Sequence, residues 1–208
     1  MRTYVYVDGF NLYYRTLKGT AFKWLNLAAL FDRMLPNNDI RAIKYFTARV
    51  SARADDPGVV TRQQAYLRAL GTLPTVHVIY GKFMVTYPRV PLKTPLPSGQ
   101  RTVEIIKTEE KGSDVNLATH LLIDGFTDQY DVAVVVSNDT DLVEPIGYVR
   151  SGLKKRVGVL CPNGRAAGPL REAATFWRPI WEKHLRQTQF PPEIRDAHGL
   201  IHKPPEWL

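Results

Sequence analysis

Asp131-Val132-Ala133-Val134-Val135-Val136 is the most apolar run in the chain, and it empties directly into Ser137-Asn138-Asp139-Thr140-Asp141. A short, nearly continuous β-branched run reads as a strand buried on both faces, as a parallel sheet requires. The same grammar stands at the N-terminus, where Tyr4-Val5-Tyr6-Val7 leads into Asp8-Gly9-Phe10-Asn11. Ligands of an open parallel sheet sit beyond the carboxyl ends of its strands. Two strands would therefore deliver Asp8, Asp139 and Asp141 to one cleft. Crowded carboxylates repel one another unless a cation stands between them, so a divalent metal is the expectation.

Between these two strands the chain alternates. Residues 11–17 suit a short helix, and Asn26 caps a second one carrying Leu27, Leu30, Phe31 and Met34, stopped by Pro36. Residues 40–50 read as a strand, and Val59, Val60, Ala65, Tyr66 and Leu70 as a helix face that Gly71 stops. Residues 75–80 and 156–160 supply further strands around 132–136, and residues 114–123 a helix with Leu117, Leu121 and Leu122 on one side. Strands alternating with helices predict a mainly parallel sheet covered on both faces, joined by right-handed crossovers. At 208 residues the chain is long enough to bury a core without disulfides.

The pattern breaks at about residues 82–110. Pro88, Pro91, Pro95 and Pro97 interrupt it, and Ser98-Gly99 looks like a turn between two extended arms. This ribbon carries Lys82, Arg89, Lys93, Arg101 and Lys107 interleaved with Phe83 and Tyr87, a mixture that suits single-stranded nucleic acid. Lysines and prolines also protect exposed strand edges from aggregation. Residues 1–185 read as one domain with this basic insertion, and residues 186–208 as an extended tail anchored by its apolar side chains.

The charge balance, 28 Lys plus Arg against 20 Asp plus Glu, gives +8 and favours a polyanionic partner. Cys161 is the only cysteine, which excludes an intrachain disulfide and multi-cysteine metal sites and fits a reducing, cytoplasmic setting. His77, His120, His184, His198 and His202 are dispersed without ligand spacing. No apolar stretch approaches the ~20 residues that span a bilayer, and the chain begins with a strand instead of a signal peptide.

Each acid also has a structural role open to it, because Asp at a strand-to-helix junction caps the helix; Asp114 and Asp139 both qualify. Ile123-Asp124-Gly125-Phe126 nearly repeats Val7-Asp8-Gly9-Phe10 at the end of a helix, where Gly125 would serve only as a stop. The set of acids, not the tetrapeptide, carries the argument. Three blocks, Asp8-Gly9-Phe10-Asn11, Lys111-Gly112-Ser113-Asp114-Val115 and Ser137-Asn138-Asp139-Thr140-Asp141, resemble in order and spacing the motifs of NYN domains, including the LabA-like branch of the PIN-like nuclease superfamily. The resemblance spans roughly residues 2–180.

That resemblance implies a PIN-like three-layer α/β/α sandwich. It implies an acidic metal site of Asp8, Asp114, Asp139 and Asp141 holding Mg²⁺ or Mn²⁺, with Asn11 as polar companion. It implies a ribonuclease, an endonuclease that hydrolyses RNA phosphodiester bonds with metal-activated water. Asn138, Thr140, Lys107 and Lys111 are candidate contacts to the nucleic acid. The first strand lacks Gly-x-Gly-x-x-Gly, and the phosphate loop is also absent, so no nucleotide cofactor is expected. A haloacid-dehalogenase-like phosphatase would need an acid where Phe10 stands. The alternative is a non-catalytic RNA-binding or regulatory module of the same fold. The oligomeric state, a homodimer included, is open.

Overall fold

The computed structural model of the chain describes residues 1–52, 54–164 and 168–207. The first strand, β1 (Arg2–Asp8), runs into a single helical turn, α1 (Gly9–Leu12), which continues as a π-helical turn over Tyr13–Leu17. Then follow α2 (Leu27–Met34), β2 (Asp39–Thr47), α3 (Val59–Gly71) and β3 (Val76–Tyr80). Asn26 accepts a hydrogen bond from the Ala29 N–H at 3.0 Å, capping α2 as its sequence predicts. The insertion contributes β4 (Lys82–Thr86), β5 (Arg89–Pro91), β6 (Thr102–Glu104) and β7 (Lys107–Lys111). The second half holds α4 (Ser113–Phe126), β8 (Val132–Val136), α5 (Val143–Ser151), β9 (Arg156–Cys161), α6 (Gly168–Ala173), β10 (Phe176–Pro179) and α7 (Glu182–Arg186), then β11 (Glu193–Asp196) and β12 (Gly199–His202).

Six strands form one sheet in the order β10-β9-β8-β1-β2-β3, and every pairing within it is parallel. Strand β8 is buried along its whole length because its pleat feeds two cores. Val132, Val134 and Val136 point into one with α2 and α3. Ala133 and Val135 point into the other with α4, α5 and α6. This is the PIN-like α/β/α sandwich that the sequence resemblance implies. From β1 the chain builds outward through β2 and β3, and later outward on the other side through β8, β9 and β10. The strand order therefore reverses between β1 and β8, which places a crevice beyond their carboxyl ends.

Some expectations change. The sixth strand, β10, is four residues long at the sheet edge and ends on Pro179, so it carries almost no periodic signal. The tail of residues 186–208 is not simply extended: β11 and β12 within it pair as an antiparallel hairpin. Arg68 of α3 grips Asp196 with two nitrogens at 2.9 and 2.7 Å, and Trp207 packs 6.1 Å from both Trp24 and Tyr66. Gly125 is not a helix stop either, since α4 runs on to Phe126. It is glycine because a Cβ there would stand 2.6 Å from the Tyr130 hydroxyl. Neighbouring Asp124 is buried and paired with Lys44 and the Tyr6 hydroxyl, a structural role that the tetrapeptide's likeness to the N-terminal block conceals.

Candidate metal and active site

Asp8 ends β1, and Ser137-Asn138-Asp139 follows β8; Val7 and Val136 are register partners in adjacent strands, so the two loops start side by side. Three hydrogen bonds then fix them, two between the loops and one within the second. The Ser137 hydroxyl donates to Asp8 Oδ2 at 2.8 Å and accepts the Asp139 N–H at 3.0 Å. The Asn138 N–H donates to Asn11 Oδ1 at 3.1 Å. Gly9 makes the close approach of α1 to β2 achievable, because a Cβ there would stand 2.6 Å from the Phe46 carbonyl and 2.7 Å from the Tyr45 ring.

The result is a cleft of about 420 Å³ whose walls include Asp8, Asn11, Asp114 and Asp139, with Glu110, Ser113 and Arg15 beside them. Phe10, Tyr14, Phe83 and Thr108 complete it. Phe10 stacks on Tyr14 at 6.4 Å and meets the edge of Phe83 at 5.7 Å, which ties α1 to the ribbon. Asp8 is only 4% exposed. Burial pushes its pKa up from 3.8 to about 6, against the pull of hydrogen bonds from Asn11 and Ser137, and the charges of Asp114 and Asp139 push the same way. Burial also raises Asp114, helped by Asp139, Glu110 and Asp141. Among the described residues no lysine or arginine forms an ion pair with Asp8, Asp114, Asp139 or Asp141.

Capping and clustering coexist here. Asp8 caps α1 through the Asn11 N–H at 2.9 Å, and Asp139 caps the following turn through the Asp141 N–H at 3.0 Å. Asp114 is not a cap: it sits in the first turn of α4 behind Gly112, and Glu110 takes the capping duty by accepting the Ser113 N–H and hydroxyl at 3.1 and 2.7 Å. Asp141 and Thr140 are exposed and lie outside the cleft lining. Asn138 serves the scaffold, with its side-chain amide donating to the Pro162 carbonyl at 3.1 Å.

The basic candidates lie elsewhere. β4 pairs with β7, and Phe83 stands opposite Glu110 while Val85 stands opposite Thr108. Because Phe83, Thr108 and Glu110 face the cleft, the pleat sends Lys82, Lys107 and Lys111 to the opposite side of the ribbon. There Lys107 and Lys111 flank Glu109 at 2.7 and 3.4 Å. Arg89 belongs to the outer pair of strands, β5 with β6, and Lys93 and Arg101 are exposed beyond it; none of the three lines the cleft. Arg15 and Glu110 are the charged cleft residues that sequence reading passed over. No standard capping pattern announces the second, because a capping box runs Ser/Thr-x-x-Glu and here the glutamate precedes the serine.

Do these residues fit a metal? The donors are all oxygen, the kind that Mg²⁺ and Mn²⁺ take, and the carboxylates are mutually repulsive, with no ion-pair partner among the described residues. Among the described residues no three His, Cys, Asp or Glu side chains converge tightly enough to enclose an ion by themselves. Mg²⁺ does not demand such a cage, since it usually keeps several waters and uses one or two carboxylates plus substrate phosphate. The chemistry fits an ion held by few protein ligands.

Fold and cleft together define a nuclease-like α/β domain with an acidic crevice at the point where strand order reverses. The chain belongs to the NYN domain family, whose model matches residues 2–178. It is 37% identical over 201 residues to the 6-hydroxy-3-succinoylpyridine 3-monooxygenase HspA of Pseudomonas putida. That match takes in 84% of this chain but spans only 63% of the relative's length. A crystal structure of a protein of unknown function from Vibrio parahaemolyticus superposes with a TM-score of 0.56 over 87% of this chain and 93% of that one, at 16% identity, which supports the fold alone. No helix among the described residues is long and apolar enough to cross a membrane.

Proposed function

We propose that the chain is a metal-dependent endoribonuclease that hydrolyses RNA phosphodiester bonds, leaving a 5′-phosphate and a 3′-hydroxyl. The observation that carries this reading is the meeting of Asp8, Asp114 and Asp139, from three separate parts of the chain, in one cleft with no ion pair to any of them among the described residues. A divalent cation, when bound, supplies charge neutralisation for the phosphoryl oxygens and a lowered pKa for water. Asp8 and Asp139, locked together by Ser137, would hold it. Asp114 faces them with a raised pKa, suited to accepting a hydrogen bond and a proton from the attacking water. Arg15 meets the phosphate, and Phe10, Tyr14 and Phe83 limit access of bulk water.

The name of the Pseudomonas relative describes oxygen insertion into a hydroxypyridine. The repelling carboxylates of this cleft favour phosphodiester hydrolysis over that chemistry. Purified protein incubated with defined RNA and DNA oligonucleotides tests the proposal: cleavage of RNA in Mn²⁺ or Mg²⁺ that EDTA abolishes and Asp139→Asn removes. Salt-sensitive retention of intact RNA, with or without metal, would favour the non-catalytic binding module instead.

A further inference from the structure

On the far side of α1 from the acidic cleft lies a second, narrower cavity of about 240 Å³. That is smaller than the ~300–1,000 Å³ of drug-sized sites and suits one planar ring system. Tyr14, Tyr45, Tyr66 and Trp207 wall it, and Lys18 and Lys23 stand at it. The Lys18 ammonium lies 5.1 Å from the Tyr14 ring centre and that of Lys23 6.0 Å from Trp207.

Most of its polar walls are already committed. The Tyr66 hydroxyl donates to the Leu25 carbonyl at 2.9 Å. Gln63 serves the Ala48 carbonyl and the Val50 N–H, both at 2.9 Å, and Arg62 is held by Asp56 and Glu206. Tyr45 differs. It is 7% exposed, its hydroxyl lies directly under Gly9, and no hydrogen bond reaches it among the described residues. This oxygen is not sealed off among buried unpartnered atoms; it opens to the cavity that Tyr45 lines, ready to hydrogen-bond a group that enters.

Phe10 and Tyr14 line both this cavity and the acidic cleft. A chain whose phosphate lies in the cleft would pass over them, with its neighbouring unit at the aromatic pocket. Aromatic faces with nearby cations are how single-stranded nucleic acid is held without duplex geometry. We propose that this cavity receives the nucleobase next to the phosphate in the acidic cleft, stacked on Tyr14 and hydrogen-bonded at its edge by Tyr45, with Lys18 and Lys23 meeting the flanking phosphate. The choice of polymer rests on the nuclease reading above; the capacity for a base and phosphate rests on the cavity itself.

The test is a titration of AMP, GMP, CMP, UMP and inorganic phosphate in EDTA, followed by tryptophan fluorescence and calorimetry, so that no cleavage is involved. The expected result is saturable binding of at least one mononucleotide in preference to phosphate. Tyr45→Phe, which removes only an oxygen, weakens it about 3- to 10-fold, and Val59→Trp, which fills the cavity from its wall, abolishes it. With RNA and Mn²⁺, Tyr45→Phe raises KM. Equal affinity for phosphate and mononucleotides, no binding at millimolar concentration, or binding indifferent to both variants would overturn the inference. Mononucleotide binding that both variants impair, in a protein that cleaves nothing, would leave this site standing and remove the nuclease reading.

Discussion

Asp8→Asn should make the metal-free protein more stable at neutral pH while destroying its activity. Raising a carboxyl from 3.8 to about 6 costs the folded state about 3 kcal/mol above about pH 6, and at 4% exposure solvent does little to reduce that. The amide keeps the acceptor for the Asn11 N–H but loses the charge-assisted bond from Ser137, a loss of about 1 kcal/mol. The net gain is about 2 kcal/mol, or a shift of about 1 M in the urea midpoint. The sign follows from proton binding. The folded protein holds the Asp8 proton at a pH where the unfolded chain has released it, so its contribution is fully present below pH 3.8 and is lost as pH rises through about 6. Urea unfolding of both proteins in metal-free buffer should therefore show the variant level with or slightly below wild type near pH 4 and ahead of it near pH 7.5. A variant that is weaker at both would mean that capping outweighs repulsion, and the electrostatic reasoning would fail.

Other substitutions probe the scaffold and the rim. Gly9→Ala drives a Cβ into the Phe46 carbonyl and should cost about 1–3 kcal/mol in urea unfolding. Lys44→Met leaves Asp124 buried with only the Tyr6 hydroxyl and should cost about 3–5 kcal/mol, most of it recovered when Asp124→Leu is added. On an RNA oligonucleotide, Arg15→Ala should lower kcat/KM at least about tenfold, as loss of a charged phosphate contact does. Lys107→Ala, on the far side of the ribbon, should change it less than about twofold.

Much of this architecture is legible in the sequence because burial leaves a residue-level trace. Val132–Val136 is apolar throughout because both its faces are covered, and Asp8 and Asp139 stand out because they end such runs. The ribbon is legible in outline from its prolines and from Gly99, whose φ of +82° marks the turn. Its orientation is not, since only pairing to β7 decides which alternate residues see the cleft, and that pairing turned Lys82, Lys107 and Lys111 away. Asp141, two residues past Asp139, stands on a tight turn exposed to solvent, close enough for its charge to push Asp114 up. The C-terminal hairpin closes with Gly199 at φ +118°, but its strands are four residues each and too short for alternation to register between prolines.

The central claim is that the carboxyl ends of β1 and β8 hold a divalent cation. Titration of isotopically labelled protein with Mn²⁺, read as paramagnetic broadening of amide resonances, addresses it without any assumption about substrate. Broadening should centre on Asp8, Ser137, Asp139 and Asp114, and Asp8→Asn should weaken it. Broadening centred instead on exposed acids such as Asp55, or none at millimolar Mn²⁺, would contradict the claim.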